Sequence, residues 1–169
     1  MALDAAEIVI RRGEQRDIPA VAALLHETWH HTYDPLMGAE AVERMSRAWH
    51  RPEALARQLT ARGARFLVAE CDGAIVGHAY ARAGRQNAVF LARLYIDPAH
   101  QRRGIGTELL VHLLPGFPGA RILELSVVKQ NRAAVDFYRR CGFVIRGEST
   151  EDGVALLLMR RDIEAIPGV

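Results

Sequence analysis

Cysteine, lysine and long apolar runs are all scarce in this sequence. Its only cysteines are Cys71 and Cys141, and its only lysine is Lys129. Two cysteines are too few for a disulfide framework or a thiolate metal site, so a reducing compartment is the default expectation. No apolar run approaches the roughly 20 residues that span a bilayer, and the N-terminal stretch mixes acids with bases instead of forming a signal peptide. These absences predict a soluble cytoplasmic protein with no membrane partner.

Aromatic residues and net charge are also low. Aromatics make up 7% of the 169 residues, the net charge is only +2, and no cluster combines basic with aromatic side chains. A nucleic-acid partner is therefore not expected. Half of the residues are apolar, which is enough for one sizeable core. We expect a single domain at residues 7–160 and a C-terminal tail at 161–169.

Residues 91–108, LARLYIDPAHQRRGIGTE, contain the strongest local pattern. An apolar strand at 91–96 breaks at Asp97-Pro98, and a helix begins after two closely spaced glycines. Backbone N–H groups in the first turn of a helix have no intrahelical partner and attract anions. Glycines leave those donors accessible, and neighbouring basic and amide side chains would add charge and donors. The pattern predicts a phosphate or pyrophosphate site formed by Gln101, Arg102, Arg103, Gly104 and Gly106.

The remaining periodicity predicts a mixed α/β fold with one central sheet flanked by helices. A first helix, capped by Asp17, is expected to end near His31, with residues 32–38 as a connection because Asp34-Pro35 disfavours helix. Helices are also predicted at 39–49 and 52–62. The strand at 91–96, the helix at 104–114 and the strand at 121–128 form a βαβ unit, so those two strands should be parallel.

Two distant motifs together resemble one enzyme family. The first is Gln101-x-x-Gly104-x-Gly106, and the second runs from Asn131 through Phe137-Tyr138 to Cys141-Gly142-Phe143. This combination is similar to the GNAT superfamily of acyl-CoA-dependent N-acetyltransferases. The resemblance implies a GNAT-type sheet that splays between the strands at 91–96 and 122–128, with acetyl-CoA as cosubstrate and no metal. Dimerisation is common in that family, so the resemblance also allows a homodimer.

The resemblance further implies where the cosubstrate and the catalytic acid lie. Acetyl-CoA would contact the backbone of Tyr95 and Ile96, and Asn131 would contact its pantetheine or phosphate arm. The pyrophosphate would lie on the loop and first helical turn, which comprise Gln101, Arg102, Arg103, Gly104, Ile105, Gly106 and Thr107. Tyr138 would donate a proton to the leaving thiolate. The implied reaction is direct attack of a primary amine on the thioester in a ternary complex, and the product is an N-acetylated amine.

The general base departs from the family pattern. An alkyl amine with a pKa near 10 must lose a proton before it attacks. Many relatives carry a glutamate where this chain has Phe90. Four residues remain open as substitutes: Glu124, His30, His31 and Asp34. Phe90 is also the single feature in favour of a catalytically silent acetyl-CoA-binding module.

The acceptor pocket is expected around the end of the first helix. Trp29, His30, Tyr33 and Asp34 are its candidate residues, and Trp29-x-x-Thr32-Tyr33 resembles a subset that includes polyamine acetyltransferases. Four acids would suit a cationic acceptor: Glu27, Asp34, Glu40 and Glu43. The acceptor classes left open are a polyamine-like small amine, an amino acid, an antibiotic or a peptide N-terminus.

A rival motif overlaps this region. His26-Glu27-Thr28-Trp29-His30 has the H-E-x-x-H spacing of zinc metallopeptidases, and Glu43 or His50 could complete the ligand set. The extended motif fails, because Tyr33 stands where glycine is required. A metallopeptidase would leave Gly104, Gly106, Asn131 and Tyr138 unexplained.

Overall fold

Alternate residues of one interior strand face two different apolar cores. Phe66 and Val68 pack with Ile18, Val21, Leu25 and Leu55 on one face, whereas Leu67 and Ala69 pack with Ile105 and Leu109 on the other. Because strand side chains alternate between faces, both faces of this sheet must be covered by helices. The computed structural model, which describes residues 7–163, has this layered arrangement.

The strands are β1 Ile8–Arg12, β2 Ala64–Cys71, β3 Ala74–Ala83, β4 Ala88–Ile96, β5 Ile122–Val128, β6 Val144–Glu151 and β7 Val154–Asp162. The helices are α1 Ile18–Met37, α2 Ala39–Trp49, α3 Pro52–Leu59, α4 Ile105–Leu113 and α5 Arg132–Arg140. None of these helices is long and apolar enough to cross a membrane.

The sheet has the order β1-β2-β3-β4-β5-β7-β6 and opens between its two central parallel strands. β4 and β5 pair only where Ala88–Phe90 lies beside Ile122–Glu124. Beyond this short ladder, β4 stays paired with β3 as far as Ile96, and β5 stays paired with β7 as far as Val128. The predicted mixed sheet, the parallel pair and the splay between 91–96 and 122–128 are therefore confirmed.

A β-bulge at Ala92 changes the direction of the side chains along β4. Ala81 pairs with Leu91 and Tyr80 pairs with Arg93, so Ala92 has no partner in the register. Before the bulge, Leu91 packs in the core beneath α4 and α5; after it, Leu94 packs there instead. Arg93 therefore points to the α1–α3 face. Bulges commonly redirect a side chain next to an active site.

The predicted end of the first helix is wrong. α1 continues to Met37, so most of the expected connection at residues 32–38 is helical and only Gly38 separates α1 from α2. Tyr33 is buried with Trp29 and Val42, and this packing stabilises the last turns of α1 although Pro35 removes one backbone donor. α3 ends at Leu59 instead of residue 62. β7 includes Arg161 and Asp162, which were assigned to the tail; residues 164–169 lie outside the described part of the chain.

Asp17 precedes α1, but its carboxylate does not cap that helix as predicted. The carboxylate instead accepts hydrogen bonds from Arg11 Nη1 and Nη2, at 2.7 and 2.9 Å, and from the Glu14 backbone N–H at 2.8 Å. The bonds from Arg11 hold the pKa of Asp17 below its usual value, against the opposing effect of burial. Asp17 thus ties the start of α1 to β1.

We expect Asp17→Asn to lower the free energy of unfolding by roughly 2–3 kcal/mol, the value of hydrogen bonds to a charged group. Because the folded pKa of Asp17 is lowered, the parent gains this stability above the unfolded pKa near 3.9 and loses it as pH falls through the folded pKa. Urea unfolding at pH 7 and at pH 3 checks both points. If the parent and the variant differed in free energy of unfolding by the same amount at both pH values, the assignment would be contradicted.

Candidate active site

The opening between β4 and β5 continues into a cleft of about 1330 Å³. The N-terminal turn of α4 and the start of α5 line one side of it, and α1 with the α2–α3 junction lines the other. Residues 90–96 of β4 and 126–128 of β5 form its floor. The cleft is large enough to hold an extended cofactor arm and a small molecule at once, because ligand pockets commonly have volumes of 300–1,000 Å³.

The loop before α4 exposes backbone donors to this cleft. The first hydrogen bond of α4 runs from Glu108 N–H to Gly104 C=O at 3.0 Å, and no side chain caps the helix. The N–H groups before Glu108 are therefore available to an anion. Gly104 adopts the left-handed conformation with φ +79°. Of the predicted phosphate residues, Gln101, Arg102, Gly104, Ile105, Gly106 and Thr107 line the cleft.

Arg103 does not line the cleft, in contrast to the other members of the predicted loop set. Its side chain is exposed, so its charge can act only from the rim. Gln101 lines the cleft, but its Nε2 already donates a hydrogen bond to the Ile96 carbonyl at 3.1 Å. This bond ties the loop to the end of β4, next to the predicted backbone contacts of Tyr95 and Ile96.

Tyr138 lies on α5 with its ring buried and borders the cleft. Its ring makes edge contacts with Phe137 and Phe143, at centroid distances of 5.3 and 5.5 Å. Burial raises the pKa of the Tyr138 hydroxyl above 10, so at neutral pH the group is protonated and can donate a proton. The resemblance predicts that Tyr138 is the general acid, and its ring lies at the cleft, where such a group would be needed.

Three aromatic residues and one amide meet where α1, β4 and α5 converge. Trp29 packs against Tyr33 and Tyr95, with ring centroids 4.9 and 6.4 Å apart. Asn131 accepts a hydrogen bond from Ala134 N–H, as a helix cap, and its Nδ2 donates to the Tyr33 hydroxyl at 3.3 Å. Burial raises the pKa of both Tyr33 and Tyr95, so both hydroxyls remain protonated. All four residues line the cleft.

The comparisons with known proteins agree with this geometry. Residues 33–163 match the family described as "Acetyltransferase (GNAT) domain". The chain belongs to the GNAT acetyltransferase family. It is an acyl-CoA-dependent N-acetyltransferase that uses acetyl-CoA as cosubstrate.

Individual relatives match most of this GNAT acetyltransferase. A peptidyl-lysine N-acetyltransferase of Escherichia coli is 31% identical, covering 81% of this chain and 84% of its own. An L-methionine sulfoximine/L-methionine sulfone acetyltransferase of Salmonella typhimurium is 27% identical, covering 87% and 86%. The crystal structure of the PaiA N-acetyltransferase of Thermoplasma acidophilum with coenzyme A superimposes with a TM-score of 0.82 at 25% identity, covering 92% and 99%.

Two of the acceptor residues predicted for this GNAT acetyltransferase lie elsewhere. Trp29 and Tyr33 line the cleft, but His30 and Asp34 do not. His30 Nδ1 contacts the Asp34 carboxylate at 2.8 Å, and His30 Nε2 contacts Glu43 of α2 at 2.9 Å. The prediction placed these residues at the end of a short helix; in the longer α1, positions 30 and 34 lie on a face that contacts α2 instead of the cleft.

Only some of the candidate general bases lie where they could reach the cleft. Phe90 lines the cleft where many GNAT relatives carry glutamate, with the Arg82 guanidinium 5.1 Å from its ring centroid. Glu124 pairs with Phe90 across the β4–β5 ladder, but its side chain does not line the cleft. Of the four proposed substitutes, only His31 lines the cleft within the described residues.

The H-E-x-x-H residues converge, but outside the cleft. His26, His30 and Glu43 offer ligand atoms within 4.8 Å of one another. Hydrogen bonds from His30, His26 and Arg47 lower the pKa of Glu43 to about 2, and the bond to Glu43 is the main cause of a raised pKa for His30. The cluster therefore links α1 to α2 through hydrogen bonds between its side chains. His50, the other predicted third ligand, packs instead against Trp29 with centroids 5.0 Å apart.

Sequence reasoning missed Arg93, which is buried in the floor of the cleft. The available signal was a cation in the middle of the apolar stretch LARLYI. Strict alternation would have placed Arg93 on the same face as Leu91, so the bulge at Ala92 was needed to locate it.

Proposed function

We propose that this GNAT acetyltransferase moves the acetyl group from acetyl-CoA to a primary amine by direct attack in a ternary complex. The observation that carries the proposal is that one continuous cleft joins the uncapped N-terminus of α4 to the unpaired edge of β4. The pyrophosphate would lie on the α4 turn, and the pantetheine arm would extend along Tyr95 and Ile96 as an added strand. Asn131 would contact the same arm.

The proposed chemistry assigns one role to each group near the thioester. The amine nitrogen forms a bond to the acetyl carbon, and a backbone N–H near Tyr95 or Ile96 donates to the developing oxyanion. When the carbon–sulfur bond breaks, Tyr138 donates its proton to the thiolate. The amine proton passes to a base or to water, and His31 is the candidate base by position.

The acceptor is proposed to be a small amine or a peptide N-terminus, entering between α1 and the α2–α3 junction. Trp29 and Tyr33 would form its aromatic wall. The relatives named above act on peptidyl-lysine in one case and on methionine sulfoximine or sulfone in the other, so relationship alone supports no single acceptor. A cytoplasmic location and a homodimer remain predictions from the sequence.

Thermal unfolding with acetyl-CoA tests the cosubstrate site. At about one hundred times its Kd, a ligand adds roughly 2.7 kcal/mol of stability, equivalent to a rise in Tm of roughly 5–10 °C for a domain of this size. We expect this rise with acetyl-CoA and no dependence on a chelator. The production of free thiol upon addition of an amine panel then measures transfer.

Two results would contradict the proposal. An unchanged Tm with acetyl-CoA, together with a fall in Tm with chelator, would direct attention to His26, His30 and Glu43. A normal rise with acetyl-CoA but no transfer to any amine would leave the protein as a silent acetyl-CoA-binding module.

A further inference from the structure

The acceptor side of the cleft contains a buried cation with no acidic partner. Arg93 is 8% exposed, and its Nε donates to His78 Nε2 at 3.2 Å while its Nη2 donates to Gln58 Oε1 at 2.5 Å. Its guanidinium carbon lies 4.8 Å from the centroid of the Tyr80 ring. No carboxylate of residues 7–163 forms an ion pair with it.

The neighbours of Arg93 are neutral. His78 is completely buried, and its Nδ1 donates to the Leu67 carbonyl at 2.9 Å, so that its Nε2 is the acceptor for Arg93. Burial lowers the pKa of His78 well below 6.5, and it lowers the pKa of nearby His50 to about 4. Neither histidine is charged at neutral pH, and Gln58 is never charged.

Arg93 itself keeps its charge. Burial lowers the pKa of its guanidinium only to about 10, which leaves it protonated at neutral pH. A buried charge without a countercharge is unfavourable, and proteins normally pair it. Two of its N–H groups are used by His78 and Gln58, whereas a guanidinium has five donors in a planar fork that suits a carboxylate. A carboxylate in the cleft would supply a countercharge and accept hydrogen bonds from the other donors of the guanidinium.

The charge of the whole cleft favours the same kind of ligand. Its lining includes six arginines: Arg51, Arg57, Arg93, Arg102, Arg132 and Arg140. Within the described chain, Glu151 is the only acid that lines it. The acids expected to attract a cationic acceptor, Glu27, Asp34, Glu40 and Glu43, do not line it. A polyamine would enter a positively charged space, whereas a carboxylate would be attracted to it.

Arg93 is also close to the proposed reaction centre. It precedes Tyr95 by two residues, about 6.6 Å along a strand. A ligand carboxylate on Arg93 would therefore hold an amine on the same small molecule near the thioester. We propose that the acceptor is a small amine that carries a carboxylate, as a free amino acid does, and that Arg93 binds this carboxylate. This inference rests on the acetyl transfer proposed above.

Paired acceptors test the inference without any change to the protein. Free amino acids are compared with their amides, which lack the charge but keep the α-amine, and with spermidine. We expect kcat/KM for the best acids to exceed that for their amides by about 100-fold. Only an acid pairs with the buried guanidinium of Arg93, and removing one partner of a buried charge pair costs several kcal/mol. The Kd of acetyl-CoA is measured in parallel.

Substitution then assigns the preference to one residue. Arg93→Gln is expected to lower kcat/KM for the acids by about 100-fold. The kcat/KM for the amides and the Kd of acetyl-CoA should stay within about threefold of the parent values. Arg93→Lys keeps the charge but loses the planar fork, so its kcat/KM for the acids should lie between those of the parent and Arg93→Gln. Arg57→Gln removes an exposed arginine from the same cleft and should change the acid-to-amide ratio by less than about threefold.

The outcomes separate this inference from the proposed function. Three results would overturn the carboxylate site while acetyl-CoA still binds. The parent could turn over amides or spermidine as well as or better than acids, or turn over no acid at all. The preference for acids could also be lost in Arg57→Gln instead of in Arg93→Gln. Failure of acetyl-CoA to stabilise the protein would overturn the proposed function itself.

Discussion

Tyr138→Phe is expected to lower kcat by about 10²–10⁴-fold, which is the usual contribution of a positioned proton donor. The ring of Tyr138 packs against Phe137 and Phe143, and phenylalanine keeps that packing. The hydroxyl, whose pKa is raised by burial, would be the only group lost. Without it the thiolate of coenzyme A must leave unprotonated or take a proton from water.

Three measurements distinguish this role from a structural one. Steady-state kinetics should give a lower kcat, while the Kd of acetyl-CoA and the Tm of the variant stay close to those of the parent. A merely structural tyrosine would produce the reverse pattern, with a lower Tm and little change in kcat. An unchanged kcat would remove Tyr138 from the mechanism.

The loop before α4 and the cap of α5, which line the proposed cosubstrate half of the cleft, could be predicted because their signals are local in the sequence. Gly104 and Gly106 lie in one turn, and the cap formed by Asn131 is three residues from its partner Ala134. Helix-end chemistry depends on near neighbours, so a short motif contains most of the information. The parallel β4–β5 pair followed from the same strand–helix–strand order.

The acceptor half could be predicted only for Trp29 and Tyr33, because the rest of it is formed by distant segments. Asn131 reaches Tyr33 from 98 residues away, and Arg93 meets Gln58 across 35. The length of α1 depends on the burial of Tyr33, which local propensity around Pro35 does not contain. The spacing of apolar residues at 91, 94 and 96 did contain the bulge, since strict alternation cannot place all three on one face.

Gly106→Val is expected to weaken acetyl-CoA binding by about 100-fold and to lower the free energy of unfolding by roughly 1–3 kcal/mol. Gly106 is buried in the first turn of α4, and a Cβ there would lie only 3.0 Å from Phe137 Cζ. The two methyl groups of valine must therefore displace Phe137 or turn toward the helix N-terminus, where they would separate a phosphate from one or two charge-assisted donors.

Gly104→Ala provides the matched comparison two residues earlier. A Cβ at Gly104 meets no atom within 4 Å, but its φ of +79° is unfavourable for alanine. We expect a loss of about 1–2 kcal/mol in stability from the backbone alone and a smaller change in Kd than in Gly106→Val. Calorimetric titration with coenzyme A and urea unfolding of both variants separate the two effects. If Gly104→Ala weakens binding more than Gly106→Val, the close approach of the pyrophosphate occurs at the loop and not at the first turn of α4.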